Sequence, residues 1–317
     1  MEAGLLDLII GPRDLSCRHD FVVQMGVPPR IPSESGSQIR VGGRTFRYAA
    51  AARVPWLTRP NATAILRKMN LDLSHLLGRW DYTPGQVLTR RIKGRDGTEK
   101  IQMRIDLGLL QMNSEGRPDG KRPLGHDSYF DYYSGLCEKR RAAGENFSLA
   151  GEDCFKLQQE LIQFHHRYIC LFELGDYEAA IRDAQRNLAA IHFVEAQAES
   201  IELAWSLLQF QPQVLMLLAR ARGTQALNAG KFEAAQQVVA EGISLIRNFY
   251  EGHAKQEMMD HSGEVASLES WAAAIHSSRP LSDLERLEAD LQEALRREDY
   301  EKAAQVRDAM KKLKPSS

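Results

Sequence analysis

The sequence predicts a mainly α-helical protein with a small β-hairpin-containing head, a scaffold of antiparallel helical hairpins, and a two-helix hairpin at the carboxy terminus. Three observations carry that prediction. Ile101, Met103, Ile105, Leu107 and Leu109 alternate with Gln102, Arg104, Asp106 and Gly108, which is the period-two signature of a strand. From Gly151 onward proline is absent until Pro212 and then until Pro280, so long helices can run uninterrupted. Leu284, Leu287, Leu291 and Leu295 recur at spacings of three and four, which sets them on one helix face.

Composition limits what such a chain can be. Of 317 residues, 43% are hydrophobic and 26% charged, the balance of an ordinary globular protein. A wholly disordered chain, a collagen and a disulfide-stapled mini-protein are thereby excluded. Forty-one basic residues face 42 acidic ones, so the whole chain has no electrostatic pull toward nucleic acid. Cys17, Cys137, Cys154 and Cys170 include no CxxC pair, so no zinc knuckle, metal site or cofactor is expected. The first ten residues lack the basic start of a secretory signal, and apolar runs such as Val214–Ala219 fall far short of the ~18 residues of a membrane span. A cytoplasmic protein with no membrane attachment is the expectation.

Residues 1–68 differ from the rest. They hold ten basic and five acidic residues, and Gly26–Gly43 is crowded with Pro, Gly and Ser. Neither a helical nor a strand period survives there, so the segment reads as a disordered leader, or as upstream sequence wrongly joined to a start at Met69. A basic arm for RNA or DNA is the competing reading, but its charges are scattered and few aromatics alternate with them.

Residues 69–150 read as the head. Gln86–Lys93 and Thr98–Met112 form two arms around Gly94-Arg-Asp-Gly97, where Asp96-Gly97 tolerates the positive φ of a tight turn. The alternation gives the second arm one apolar and one wet face. Arg117-Pro-Asp-Gly120 is a further turn, and Asp127 or Ser128 caps a helix whose Tyr129, Phe130, Tyr132 and Tyr133 pack on the hairpin. His126, Asp127 and Ser128 include triad residue types, yet neighbours in sequence cannot converge as a triad does.

Residues 151–279 read as helical hairpins. One turns at Leu174-Gly-Asp-Tyr-Glu-Ala-Ala180 and another at Asn228-Ala-Gly-Lys-Phe-Glu-Ala-Ala235. In each, a glycine ends one helix, an aromatic two residues later anchors the next, and paired alanines permit close packing. This turn resembles that of a tetratricopeptide hairpin, although Tyr177 and Phe232 lie 55 residues apart, not the roughly 34 of that repeat. Stacked antiparallel helices of this kind usually bind proteins or peptides.

Residues 280–315 form the last unit. Ser282 and Glu285 make a capping box, the leucine stripe follows, and Asp299-Tyr300 reverses the chain. Ala303, Ala304, Arg307, Met310 and Leu313 then trace a facing stripe, with Tyr300 wedged between the two helices. So short a hairpin cannot bury enough surface alone and must pair with a second copy or dock on a partner. The leucine-spaced helix, the turn Glu298-Asp-Tyr-Glu-Lys-Ala-Ala304 and the following Val306-Arg-Asp308 resemble the UVR domain, the UvrB/UvrC interaction motif. The resemblance implies a non-catalytic docking hairpin, which couples nuclease subunits in bacterial excision repair and docks regulators in stress proteins. It makes Leu284, Leu287, Leu291, Leu295, Tyr300, Ala303, Ala304, Arg307 and Met310 the candidate partner-binding residues. Trp80–Gly125 is similar to the middle region of bacterial UVR-motif proteins, a similarity that implies no activity.

The expected function is a non-enzymatic adaptor that docks another protein, or a second copy of itself, through this hairpin. The alternative is an accessory factor in nucleic-acid repair binding DNA or RNA, which the charge balance disfavours. An enzyme built on Asp106, Asp119, His126 or Asp127 is a third reading. It lacks any spaced pair of carboxylates, a phosphate loop, or another catalytic motif.

Overall fold

The computed structural model describes residues 39–41, 44–46, 72–279 and 283–313. Two three-residue strands, β1 (Ile39–Val41) and β2 (Arg44–Phe46), pair antiparallel within the segment read as leader. The other expectations for residues 1–68 lie outside the described residues, as does the capping serine Ser282.

The rest divides into two compact units that part between Asp176 and Tyr177, with residues 197–199 grouped with the first. The first unit opens with a single turn, α1 (Ser74–Leu77), followed by the strands β3 (Leu88–Lys93), β4 (Glu99–Ile105) and β5 (Gly108–Asn113). They form an antiparallel sheet in the order β3-β4-β5. The β3–β4 turn falls where expected, with Gly97 at φ 78°.

The second arm corrects the expectation. It breaks after Ile105, so Leu107 lies in a two-residue turn and is 89% exposed rather than on the apolar face. Nor is the opposite face wet. Gln102 and Arg104 are buried, because Gln102 joins its cross-strand neighbours in a ladder: Arg90 Nε donates to it at 2.8 Å and it donates to Gln111 at 2.9 Å. Arg104 donates to the carbonyls of Trp80, Ile105, Asp106 and Gly108, closing the tight turn.

Helix α2 (Tyr129–Ala142) is capped by Ser128, whose Oγ accepts from the Asp131 amide at 3.0 Å. Of its tyrosines, Tyr133 turns toward α3 (Gly151–Glu173), donating to Asp153 at 2.5 Å, while Tyr129 lies under the Arg117 guanidinium and Tyr132 against His126. From α3, Glu160 reaches the free amides at the start of α2, and the buried Arg167 donates to the carbonyls of Asn113 and Gly116. Helix α3 also lies against β3 and β4, and Leu157, Leu161, Phe164 and Leu171 on the helix and Ile101 and Met103 on the sheet are all buried.

In the second unit, α4 (Tyr177–Gln197), α5 (Ile201–Leu208), α6 (Gln211–Asn228), α7 (Phe232–Gly252), α8 (Gln256–Asp260) and α9 (Gly263–Ser278) precede the terminal hairpin. Gly175 and Gly230 take φ of 77° and 71° at the two turns read from sequence, and Pro212 occupies the first turn of α6, where its missing N–H costs nothing. Helices α6, α7 and α9 pack around Val239, Leu268 and Trp271, all fully buried. Two glycines set how closely they approach. A Cβ on Gly223 would meet the Trp271 ring at 2.7 Å, and one on Gly242 would meet the Ala219 Cβ at 2.5 Å. Among the described residues no helix is long and apolar enough to cross a membrane.

Candidate functional site

The terminal hairpin consists of α10 (Asp283–Arg296) and α11 (Tyr300–Leu313). Leucines at intervals of three and four make α10 amphipathic, and alanine-rich α11 can approach it closely. The reversal between them is built from local bonds. Glu298 sits in the left-handed region at φ 59°, and the Asp299 amide reaches back to the Ala294 carbonyl at 2.9 Å, closing the end of α10. Asp299 then begins α11, its carboxylate accepting from the Lys302 amide at 3.0 Å. Glu293 accepts from Arg296 and Arg297, and these hydrogen bonds hold its carboxyl below the usual range.

The seam between the helices runs through small residues. Ala294, Ala303 and Val306 are 2%, 1% and 9% exposed. Leu284, Leu287, Leu291 and Met310 are half-buried, while Ala304 and Arg307 are exposed. Leu295 is 42% and Tyr300 70% exposed. Tyr300 is therefore not the expected wedge. It stands at the first position of α11, and the closeness of the helices comes from Ala294 and Ala303, which leave no room for a ring. Ala294 went unnoticed in the sequence, and Val306 was read only as part of the motif, because both fall outside the leucine and alanine stripes.

The hairpin has a filled seam, and Leu295 and Tyr300 stay exposed outside it. Residues 283–314 match the UVR family model, the UvrB/uvrC motif. No curated protein and no solved structure matches the chain. The UVR motif is an interaction motif of UvrB and UvrC, and here it forms the whole α10–α11 hairpin.

The residues considered for catalysis do not converge. Asp106, Asp119, His126 and Asp127 are all exposed, and no hydrogen bond or ion pair links them to one another. Asp119 accepts from the Lys121 amide at 3.0 Å and faces Arg117 at 3.3 Å, Asp127 pairs with Arg122 at 2.9 Å, and the His126 ring stands edge-on to Tyr132. Among the described residues no group of three or more His, Cys, Asp or Glu is placed to hold a metal ion. Cys137, Cys154 and Cys170 are buried free thiols, and burial pushes Cys154 up to about 11 and Cys170 up to about 12.

Proposed function

We infer that this protein is a non-enzymatic adaptor whose UVR hairpin docks another protein, with a second copy of the chain as one such partner. The observation that carries the reading is the pairing of the motif match with its surface. Leu295 and Tyr300 stay exposed while alanines fill the seam. Tyrosines are among the residues that concentrate binding energy at interfaces. A role as an accessory to nucleic-acid repair draws on the same motif. It is the weaker reading, because Asp283–Leu313 carry nine acidic against seven basic residues and phosphate contact needs an excess of cations.

The test compares the full chain with its Tyr300→Asp and Leu295→Asp variants. Both side chains lie outside the seam, so far-UV circular dichroism should be unchanged. Capture of a protein partner, or concentration-dependent self-association in sedimentation, should be lost in both. Association that survives both substitutions would place the docking surface elsewhere. A salt-dependent shift of duplex or single-stranded DNA would favour the repair reading.

A further inference from the structure

In the second unit, α4, α6 and α7 enclose a cleft of about 310 Å³. Each helix contributes residues at i, i+3, i+4 and i+7: Gln185 to His192 on α4, Leu215 to Arg222 on α6, and Val238 to Leu245 on α7. That spacing keeps one face of each helix turned to the cleft over two turns, a length of roughly 10 Å at the α-helical rise. The volume falls at the small end of ligand-binding cavities, whose usual composition is an apolar lining with a few polar groups.

The cleft has a floor and two unlike ends. Leu215, Leu218 and Ala219 are buried beneath it. The floor is close-fitted because Gly242 lets α7 approach Ala219, and a Cβ at 242 would stand 2.5 Å from that of Ala219. The same contact fixes the register of α6 and α7, as does the approach of Val239 to Gly223. Leu215 therefore lies toward Leu245, and Arg222 lies toward Val238. Leu245 is 51% exposed at the apolar end.

The polar groups differ in commitment, and Glu241 stands midway along the α7 side. Glu241 accepts from Gln237 at 3.0 Å. Arg222 and His192 are exposed and make no hydrogen bond or ion pair within the described residues. A guanidinium at the end of an apolar trough can give a carboxylate two parallel hydrogen bonds, and the low-dielectric wall beside it strengthens them.

We propose that this cleft binds a small anionic amphiphile, an aliphatic carboxylate whose head pairs with Arg222 and whose chain lies over Leu218 and Leu215 toward Leu245. A trough of roughly 10 Å suits a chain of about eight to ten carbons. This site is separate from the UVR hairpin, so its failure leaves the adaptor reading untouched.

The test titrates the full chain with decanoate, decanol and decylamine by calorimetry, the two charged amphiphiles below their critical micelle concentrations and decanol below its solubility limit. Decanoate should bind with one-to-one stoichiometry, decanol at least tenfold more weakly, and decylamine not at all. Arg222→Gln should weaken decanoate about tenfold and leave decanol unchanged, since it removes the charged partner and nothing of the floor. Leu245→Lys, at an exposed position, should weaken both by obstructing the apolar end. Equal binding of decanoate and decanol, or decanoate binding insensitive to Arg222→Gln, would overturn the proposal. So would self-association that Leu245→Lys abolishes in the absence of decanoate binding, which would seat a second copy of the chain on the cleft.

Discussion

Glu160→Ala removes the carboxylate on which the start of α2 depends. Glu160 is 0% exposed; its Oε2 accepts from the Tyr129 amide at 2.8 Å and its Oε1 from the Phe130 amide at 3.2 Å. Both amides belong to the first turn of α2, where a helix has no internal acceptors and its dipole favours a negative charge. Arg117 Nε lies 3.4 Å from Oε2, a charge contact between two buried groups, and the Asp119 carboxylate at 3.3 Å is its remaining partner. Breaking a buried ion pair from one side costs about 3–5 kcal/mol, and leaving an amide unpaired about 1–3 kcal/mol. These contributions overlap, so the loss is about 4–6 kcal/mol rather than their full sum. For a unit of this size each kcal/mol moves the midpoint by about 4–8 °C, so the transition should fall by at least about 15 °C. Glu160→Gln keeps the volume and one acceptor and should cost about half as much. Near-ultraviolet circular dichroism during a thermal scan follows the clustered tyrosines of α2 and so reports on this unit. A fall of less than about 5 °C for Glu160→Ala would refute the account of how α2 is anchored.

Gly242→Ala forces a Cβ within 2.5 Å of the Ala219 Cβ and should cost about 1–3 kcal/mol in urea unfolding. Gly135→Ala, in the middle of α2 with open space around it, should instead stabilise by up to about 1 kcal/mol. Cys154 and Cys170, 2% and 0% exposed with thiols pushed up by burial, should resist iodoacetamide at pH 8 in the folded chain and react once it is unfolded. Mass spectrometry of the alkylated peptides checks this, and rapid labelling of either in native conditions would contradict the burial. Asp96 accepts from the Thr98 hydroxyl and amide and faces Lys100, which lowers its carboxyl to about 2. Since the folded value lies below the ordinary 3.8, its contribution is present above about pH 4 and is lost as pH falls toward 2. Carboxyl-carbon NMR should show this depressed titration, and an Asp96 value near 4 would rule the turn geometry out.

Local chemistry was legible in the sequence where one residue type has one physical use. Gly97, Gly175 and Gly230 marked turns because positive φ is easy for glycine, and Ser128 marked a helix start because its hydroxyl replaces a missing acceptor. The β4–β5 turn was not legible. Asp106 and Leu107 make it without positive φ, so the alternation in the sequence runs straight through. Gln102 and Arg104 read as solvent-facing because polarity in a strand reports exposure only when no partner lies across the sheet. The UVR hairpin could be found from its own residues, since its seam is local to one reversal. The position of Tyr300 could not, because Tyr300, Ala303, Arg307 and Met310 share a helical period while the packed stripe begins at Ala303 and Val306. The cleft of the second unit draws on three helices far apart in sequence, and in each of them its apolar residues look like ordinary core and its polar ones like ordinary surface.

The α10–α11 reversal also has a mechanical consequence. Only Arg297, Glu298 and Asp299 separate the helices, and Glu298 holds a left-handed backbone that glycine would adopt without strain. Bringing Glu298 and the capping Asp299 into the helical region would join α10 and α11 into a single rod of about 46 Å. The Ala294–Ala303 seam could then be remade only by another molecule offering its own α11, an exchange of identical arms that strained short hinges favour. Glu298→Gly removes the strain and should keep the arm folded back on its own chain. The backbone at Glu298 and Asp299 is thus the hinge at which a closed clasp would open into a reciprocal handshake between two chains.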